Sequence, residues 1–226
     1  MRTTSSKHKS LAAFVEQITL RHFEKGSALL YQGEVPRNAY ILKQGMVKAY
    51  SITPQGDERI VTFHVDGELF PAPWLFGKAS SSLYYYEALS DCEVYLVERA
   101  ELLKAIDSQP AAMRLVMDHF VTGYSAALVR ITALEQAKAR EKILFTLYYL
   151  LQRHGKEILP GVYSIHLGLT HQMIADLVGL TRETTAGELS ALKKEKLLSY
   201  RRQKYLIKKE NLLRLIGEDS FRDIAI

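Results

Sequence analysis

The sequence predicts an α+β protein: an N-terminal β-roll of jelly-roll type, a long dimerisation helix, and a C-terminal winged helix-turn-helix. Three observations carry this expectation. Short strand-like segments alternate with turn residues through residues 21–97, an apolar heptad seam runs from Met113 to Leu134, and a two-helix pattern over 170–197 lies in the basic end of the chain. The predicted boundaries are 1–109 for the roll, 110–137 for the long helix and 138–226 for the winged unit.

Ser10 to Leu20 reads as a short amphipathic helix, with Leu11, Phe14, Val15 and Ile18 on one face and Ser10 as its cap. The strand segments follow: Leu29–Tyr31, Ala39–Leu42, Met46–Ile52, Arg59–Val65, Tyr84–Leu89 and Glu93–Val97. Turn residues separate them, at Gln32-Gly33-Glu34, Gln44-Gly45, Pro54 to Asp57 and Asp66-Gly67-Glu68. Strands recurring every ~8–12 residues between turns indicate a sandwich or barrel.

Beyond Glu98 the period lengthens to that of a helix. Arg99–Ser108 is a short helix, and Pro110 favours a helix start. Met113, Met117, Phe120, Tyr124, Ala127, Ile131 and Leu134 then follow one another at steps of 4, 3, 4, 3, 4 and 3. Such a seam fits a parallel helix–helix contact between two copies, or else one amphipathic helix lying on its own domain. Lys138–His154 reads as a further helix, and Val162–Leu167 alternates like a strand.

The 226 residues carry one cysteine, Cys92, and a net charge of +5. A lone thiol excludes an internal disulfide and any four-cysteine metal site, and fits a reducing cytoplasm. No segment has the ~20 apolar residues of a membrane span, so a cytoplasmic location without membrane association is expected. The charge is uneven: residues 1–137 hold 14 Lys/Arg against 15 Asp/Glu, whereas residues 138–226 hold 16 against 10. The +6 at the C-terminal end suits a nucleic-acid-binding module attached to a neutral partner domain.

Residues 170–197 give that charge a geometry. Thr170 caps a first helix that turns Ile174, Ala175, Leu177 and Val178 inward; Gly179 makes the tight turn, Leu180 plugs the angle and Thr181 caps a second helix. Thr185, Leu189 and Leu192 face the first helix, leaving Arg182, Glu183, Thr184 and Gly187 at the outward N-terminal end. This is helix-turn-helix geometry, in which the start of the second helix, about 182–195, enters the major groove. Arginine can donate twice to guanine, and a carboxylate can accept from cytosine N4. Leu198–Ile207 resembles a wing with Arg201, Arg202 and Lys204 at its tip, placed for phosphate.

These motifs together resemble the CRP/FNR superfamily of bacterial transcription regulators over nearly the whole chain. The roll's landmarks are Gly26, Leu30, Gln32-Gly33-Glu34, Tyr40-Ile41-Leu42, Gly45, Val47, Gly56, Asp66-Gly67-Glu68 and Cys92-Glu93-Val94. Those of the reader are Thr170–Gln172, Ile174, Val178-Gly179 and Thr181-Arg182-Glu183-Thr184. The resemblance implies a cyclic-nucleotide-binding-like roll, phosphate contacts from Thr170 and Gln172, and base reading by Arg182 and Glu183. It also implies a homodimer on a near-palindromic operator, with RNA polymerase as a further partner. Gly187 stands where the family's recognition trio has its second arginine, which leaves the half-site sequence open.

The signal departs from the family's best-known types. Cyclic-nucleotide binding needs an arginine for the phosphate and a carboxylate for the ribose. Here Ala72 occupies the carboxylate position, and no arginine lies between Arg59 and Arg99. A buried phosphate without a guanidinium would be poorly compensated. An N-terminal cysteine cluster for iron–sulfur sensing is absent, and His8, His22 or His64 gives haem only a minor place. Phe70, Ala72, Trp74, Ser82, Leu83 and Tyr84, with Tyr124 and Leu128 from the long helix, are the candidate effector-pocket residues. The same aromatics equally suit a filled core with no effector at all, and no cofactor or metal site is expected. An alternative is a small-molecule- or haem-binding sensor subunit acting through protein partners. No nucleophile–base pair, metal-ligand spacing or phosphate loop suggests an enzyme.

Overall fold

The computed structural model describes residues 11–201 and 204–217. They divide into two compact units, 1–119 and 120–226, with the division falling inside one long helix.

The first unit follows from strands buried on both faces. Its elements are β1 (Thr19–Phe23), β2 (Ala28–Leu30), β3 (Asn38–Gln44), β4 (Val47–Ile52), β5 (Glu58–His64), β6 (Leu69–Phe70), α1 (Ala72–Leu75), β7 (Tyr85–Ala88), β8 (Cys92–Glu98) and α2 (Arg99–Ser108). They form two four-stranded antiparallel sheets, ordered β1-β8-β3-β6 and β2-β7-β4-β5. On β3, Leu42 joins the roll interior with Val47, Ala49, Phe70, Tyr86 and Val94, and Tyr40 packs against that cluster. Ala39 and Ile41 face the other way, against Leu75, Leu102, Ile106, Ala112 and Val116 of the helices. Period-two alternation thus serves two cores, which is why β3 reads as a nearly continuous apolar run.

At the N-terminus the expected helix over Ser10–Leu20 is not formed. A single 3-10 turn spans Leu11–Phe14, and β1 begins at Thr19; Ser10 lies outside the described residues. The apolar face itself persists, since Leu11, Phe14, Val15 and Ile18 all pack on the helix-side core. What overrides the helical period is the pairing of Thr19–Phe23 with Cys92–Leu96, which satisfies the backbone of both strands. Four of the five β1 residues are exposed, so no apolar alternation announces the strand. The exposed strand β9 (Gly155–Leu159) in the second unit is unannounced for the same reason.

The remaining elements are α3 (Pro110–Glu135), α4 (Ala139–His154), β9, β10 (Val162–Ile165), α5 (His171–Val178), α6 (Arg182–Lys194), β11 (Leu198–Arg201), β12 (Lys204–Lys208) and α7 (Lys209–Ile216). The last four strands make a third antiparallel sheet, ordered β11-β12-β10-β9. On α3, Ala112, Val116, Val129 and Ala133 are buried, whereas Met113, Met117, Phe120, Tyr124, Ala127, Ile131 and Leu134 are all exposed. Val121 and Leu128 widen that exposed apolar face. No helix among the described residues is long and apolar enough to cross a membrane.

Gly45 shows how tightly the roll closes. Its φ is +117°, and a Cβ there would lie 2.6 Å from Cys92 Sγ and 2.8 Å from the Asp91 carbonyl oxygen. Its N–H donates to Asp66 Oδ1 at 2.9 Å. Gly45→Ala is therefore expected to lower the unfolding free energy by about 2–4 kcal/mol, since it adds backbone strain and an overlap in a buried corner. Urea denaturation of the variant beside the parent protein checks this.

Candidate nucleic-acid interface

The basic unit is organised around α4, whose Ile143, Leu144, Leu147, Tyr148, Leu150 and Leu151 are buried. Helix α5 turns Ile174, Ala175, Leu177 and Val178 inward, and α6 contributes Thr185, Leu189 and Leu192. Ala175 has no exposed surface, so the inner side of α5 is covered at a position where its side chain is only a methyl.

Both helix starts are capped as their sequences predict. Thr170 accepts from the Met173 N–H at 3.1 Å, and Thr181 accepts from the Thr184 N–H at 3.2 Å. Between them Gly179 adopts φ +69° and ψ +34°, a left-handed conformation that ends α5 in a tight turn. Its N–H and that of Leu180 both reach the Ala175 carbonyl, at 2.8 and 3.2 Å. Arg182, Glu183, Thr184 and Gly187 then stand exposed at the start of α6. Among the described residues, and leaving aside the backbone of its own helix, no atom lies within 4 Å of where a Gly187 Cβ would be, so the face is open there.

Two arginines steady this arrangement from the side. Arg130 of α3 donates from Nη2 to the Leu177 carbonyl oxygen at 2.8 Å, engaging a carbonyl in the last turn of α5, and it also lies over the Tyr149 ring. Burial pushes the Arg130 pKa below the usual guanidinium value. Arg140 near the start of α4 reaches Glu195 at 2.6 Å and Glu188 at 3.9 Å, tying down the far half of α6. The Glu195 hydrogen bond holds the Arg140 pKa up.

The residues expected at phosphate fall into three groups. Thr170 is used as the α5 cap, and Gln172 is exposed with its amide donating to the buried Asp176 at 2.7 Å. Lys204 is exposed on the wing. Arg201 is the backbone register partner of Lys204 in the β11–β12 ladder; Arg202 lies outside the described residues. An open cleft of about 540 Å³ between α5, the start of α6 and the wing is lined by Thr170, His171, Gln172, Arg182, Tyr200 and Tyr205. Sequence reasoning passed over His171 and Tyr200, because one is a lone histidine and the other reads as an ordinary strand aromatic. The Lys193 ammonium lies 4.7 Å from the Tyr200 ring centre.

In the roll, the candidate pocket residues are dispersed. Phe70 is buried and stacks between Tyr40 and Tyr86, at 5.5 and 5.0 Å between ring centres. The His64 ring lies 4.9 Å from Phe70 and its Nδ1 is 3.1 Å from Glu68. Trp74 packs instead on the helix-side core, and Tyr84 on the roll interior. Ser82 is buried and donates to the Tyr84 carbonyl, Ala72 opens α1, and Leu83 is exposed. Tyr124 and Leu128 are exposed on α3. His22 is exposed and 3.6 Å from Glu93, while His8 lies outside the described residues.

Comparison with known proteins matches both halves. The cyclic nucleotide-binding domain family matches residues 20–109, and the Crp-like helix-turn-helix domain family matches residues 141–216. The nitrogen fixation regulation protein FixK of Rhizobium meliloti is 25% identical over 179 residues, covering 79% of this chain and 77% of that protein. The fumarate and nitrate reduction regulatory protein of Vibrio cholerae is 27% identical over 176 residues, covering 78% and 69%. Among solved structures, FixK2 from Bradyrhizobium japonicum superposes with a TM-score of 0.71 at 23% identity, covering 88% of this chain and 98% of that one.

The cap geometry gives a direct stability test. Thr181→Ala removes the acceptor for the Thr184 N–H and is expected to cost about 1 kcal/mol, read as a lower denaturation midpoint. Thr181→Ser, which keeps the oxygen, is expected to restore most of it.

Proposed function

The chain belongs to the CRP/FNR superfamily of transcription regulators, which are not enzymes, and from that premise we propose that it acts as a homodimer on near-palindromic duplex DNA. The observation that carries the reading is the exposed Arg182-Glu183-Thr184 start of a capped α6 whose other face is buried. Arg182 donates to guanine O6 and N7, and Glu183 accepts from cytosine N4. Glu183 gains from the helix N-terminal dipole wherever it stands, but beside phosphates a carboxylate is repelled, so its place on the outward tip favours base reading. Thr170 and Gln172 contact the backbone beside it, and Arg201, Arg202 and Lys204 of the wing add phosphate contacts.

The exposed apolar face of α3 supports the homodimer. Met117, Tyr124 and Ile131 recur at seven-residue steps, and each is about half exposed or more in the single chain. Two parallel copies would bury this stripe as a coiled-coil seam, bringing the two readers onto half-sites one helical turn, about 34 Å, apart. Its effector stays unassigned. The roll biases the dimer helix, and any small molecule must bind one arrangement better than the other to act as a switch. The stacked Tyr40, Phe70 and Tyr86 fill the roll interior with rings, with the Glu68 carboxylate beside His64, and this supports a signal other than a cyclic nucleotide. RNA polymerase would be the partner through which DNA binding is read out, in the cytoplasm.

Random-site selection with purified protein is expected to enrich a near-palindrome; recovery of unenriched sequence, with or without cell extract, would overturn the proposal. Glu183→Ala is expected to relax preference at one base pair per half-site, at about 1–3 kcal/mol of discrimination, in a selection repeated with the variant. Arg201→Ala should instead weaken all sequences alike and flatten the salt dependence by about one phosphate contact. Replacing Tyr124 and Ile131 together by Glu is expected to give monomers in sedimentation and to abolish tight operator binding.

A further inference from the structure

Two cationic or protonatable side chains, His171 and Arg182, line the cleft beside α6, and a third, Lys193, lies over one of its tyrosines. The His171 ring meets Tyr200 edge to face, 5.2 Å between centres and 82° between planes. Lys193 lies over the same tyrosine, and Arg182 bounds the cleft from the start of α6. Tyr200 in turn packs on Tyr205, 5.3 Å away, whose hydroxyl pKa burial holds far above its usual value. Among the described residues, none of His171, Arg182 and Lys193 has a carboxylate partner; the nearby Asp176 is buried and accepts from Gln172 instead. A concave site lined by an imidazole and a guanidinium, with a lysine over its tyrosine and no carboxylate paired to any of the three, suits an anion.

We propose that His171, held by Tyr200 in the positive field of Arg182 and Lys193, is a proton-linked clamp for one DNA backbone phosphate, so that operator binding takes up a proton. This rests on the DNA-reader function. Its position supports the choice of ligand, because the cleft opens between the exposed tip of α6 and the wing, where the strand bordering the major groove would pass.

The linkage has a definite sign. In the free protein, burial first and the Arg182 charge second hold the His171 pKa below the ordinary histidine value, so the ring is largely neutral at pH 7. A phosphate oxygen set against the ring favours the imidazolium and raises that pKa. Between the free and bound values, binding DNA binds a proton. Affinity therefore rises as pH falls through the bound value and levels off below the free one. Tyr200 supplies the ring face that orients His171, and Lys193, anchored over the same ring, gives a charge that does not depend on pH in this range.

The test uses the full chain and two ~30-bp duplexes, one enriched by selection and one of mixed sequence, with anisotropy titrations at pH 6 and pH 8 at constant ionic strength. Wild-type protein is expected to bind both duplexes about 3- to 10-fold more tightly at pH 6. His171→Asn should lose that pH dependence and bind at both pH values as the parent does at pH 8. His171→Arg should bind at both as the parent does at pH 6, a rescue that a purely structural role would not produce. Added duplex should also move the His171 ring proton resonance to a higher titration midpoint. An unchanged pH dependence in His171→Asn overturns the clamp while leaving DNA reading intact. Failure of the wild-type protein to bind either duplex at either pH overturns both.

Discussion

The reader unit depends on one backbone conformation, the left-handed turn at Gly179. With φ at +69° the chain reverses within two residues, and the Ala175 carbonyl receives both the Gly179 and Leu180 N–H groups. A side chain with a Cβ would adopt that conformation only under strain. Once the turn is set, Thr181 begins the next helix and Thr185, Leu189 and Leu192 must face α5. The outward direction of Arg182, Glu183 and Thr184 is then a geometric consequence of the 3.6-residue repeat. The outward surface at the start of α6 is thus specified by residues that lie beneath it.

Helix α3 carries a second constraint, being apolar on two sides. Its inward residues are small or β-branched, Ala112, Val116, Val129 and Ala133, and are covered within the chain. Its outward residues are larger, Met117, Phe120, Tyr124, Leu128 and Ile131, and they form a continuous exposed stripe. Arg130 belongs to the inward side, one turn from Ala126 and Ala133, and donates to the Leu177 carbonyl at the end of α5. A buried guanidinium is costly to leave unpaired, so this bond favours one placement of α5 against α3. The helix that would form a dimer seam therefore also holds the first helix of the reader.

The roll achieves closure differently, by using both faces of one sheet. Tyr40 and Leu42 look into the interior while Ala39 and Ile41 look onto helices, and Phe70 completes an aromatic stack with Tyr40 and Tyr86. Residues proposed from the sequence as one pocket are divided between these two cores. Phe70 ends β6 and Trp74 lies in α1, so the two enter different clusters although only four positions separate them. The residues that line a cavity could not be read from their proximity in sequence.

The sequence by itself determined the α+β class, the heptad seam from Met113 to Leu134, the two threonine caps, the Gly179 turn and the exposed Arg182-Glu183-Thr184 tip. All of these are local: caps, turns and helical periodicity act within four residues or so, and their side-chain chemistry is visible in one dimension. Only the tertiary structure decided the N-terminal strand, the edge strand at Gly155–Leu159, the division of the aromatics between two cores, and the meeting of His171 and Lys193 on Tyr200. Each of these joins residues distant in sequence through hydrogen-bond pairing or ring packing. An exposed strand has no apolar pattern to betray it, and a lone histidine acquires a role only from the neighbours that the fold brings to it.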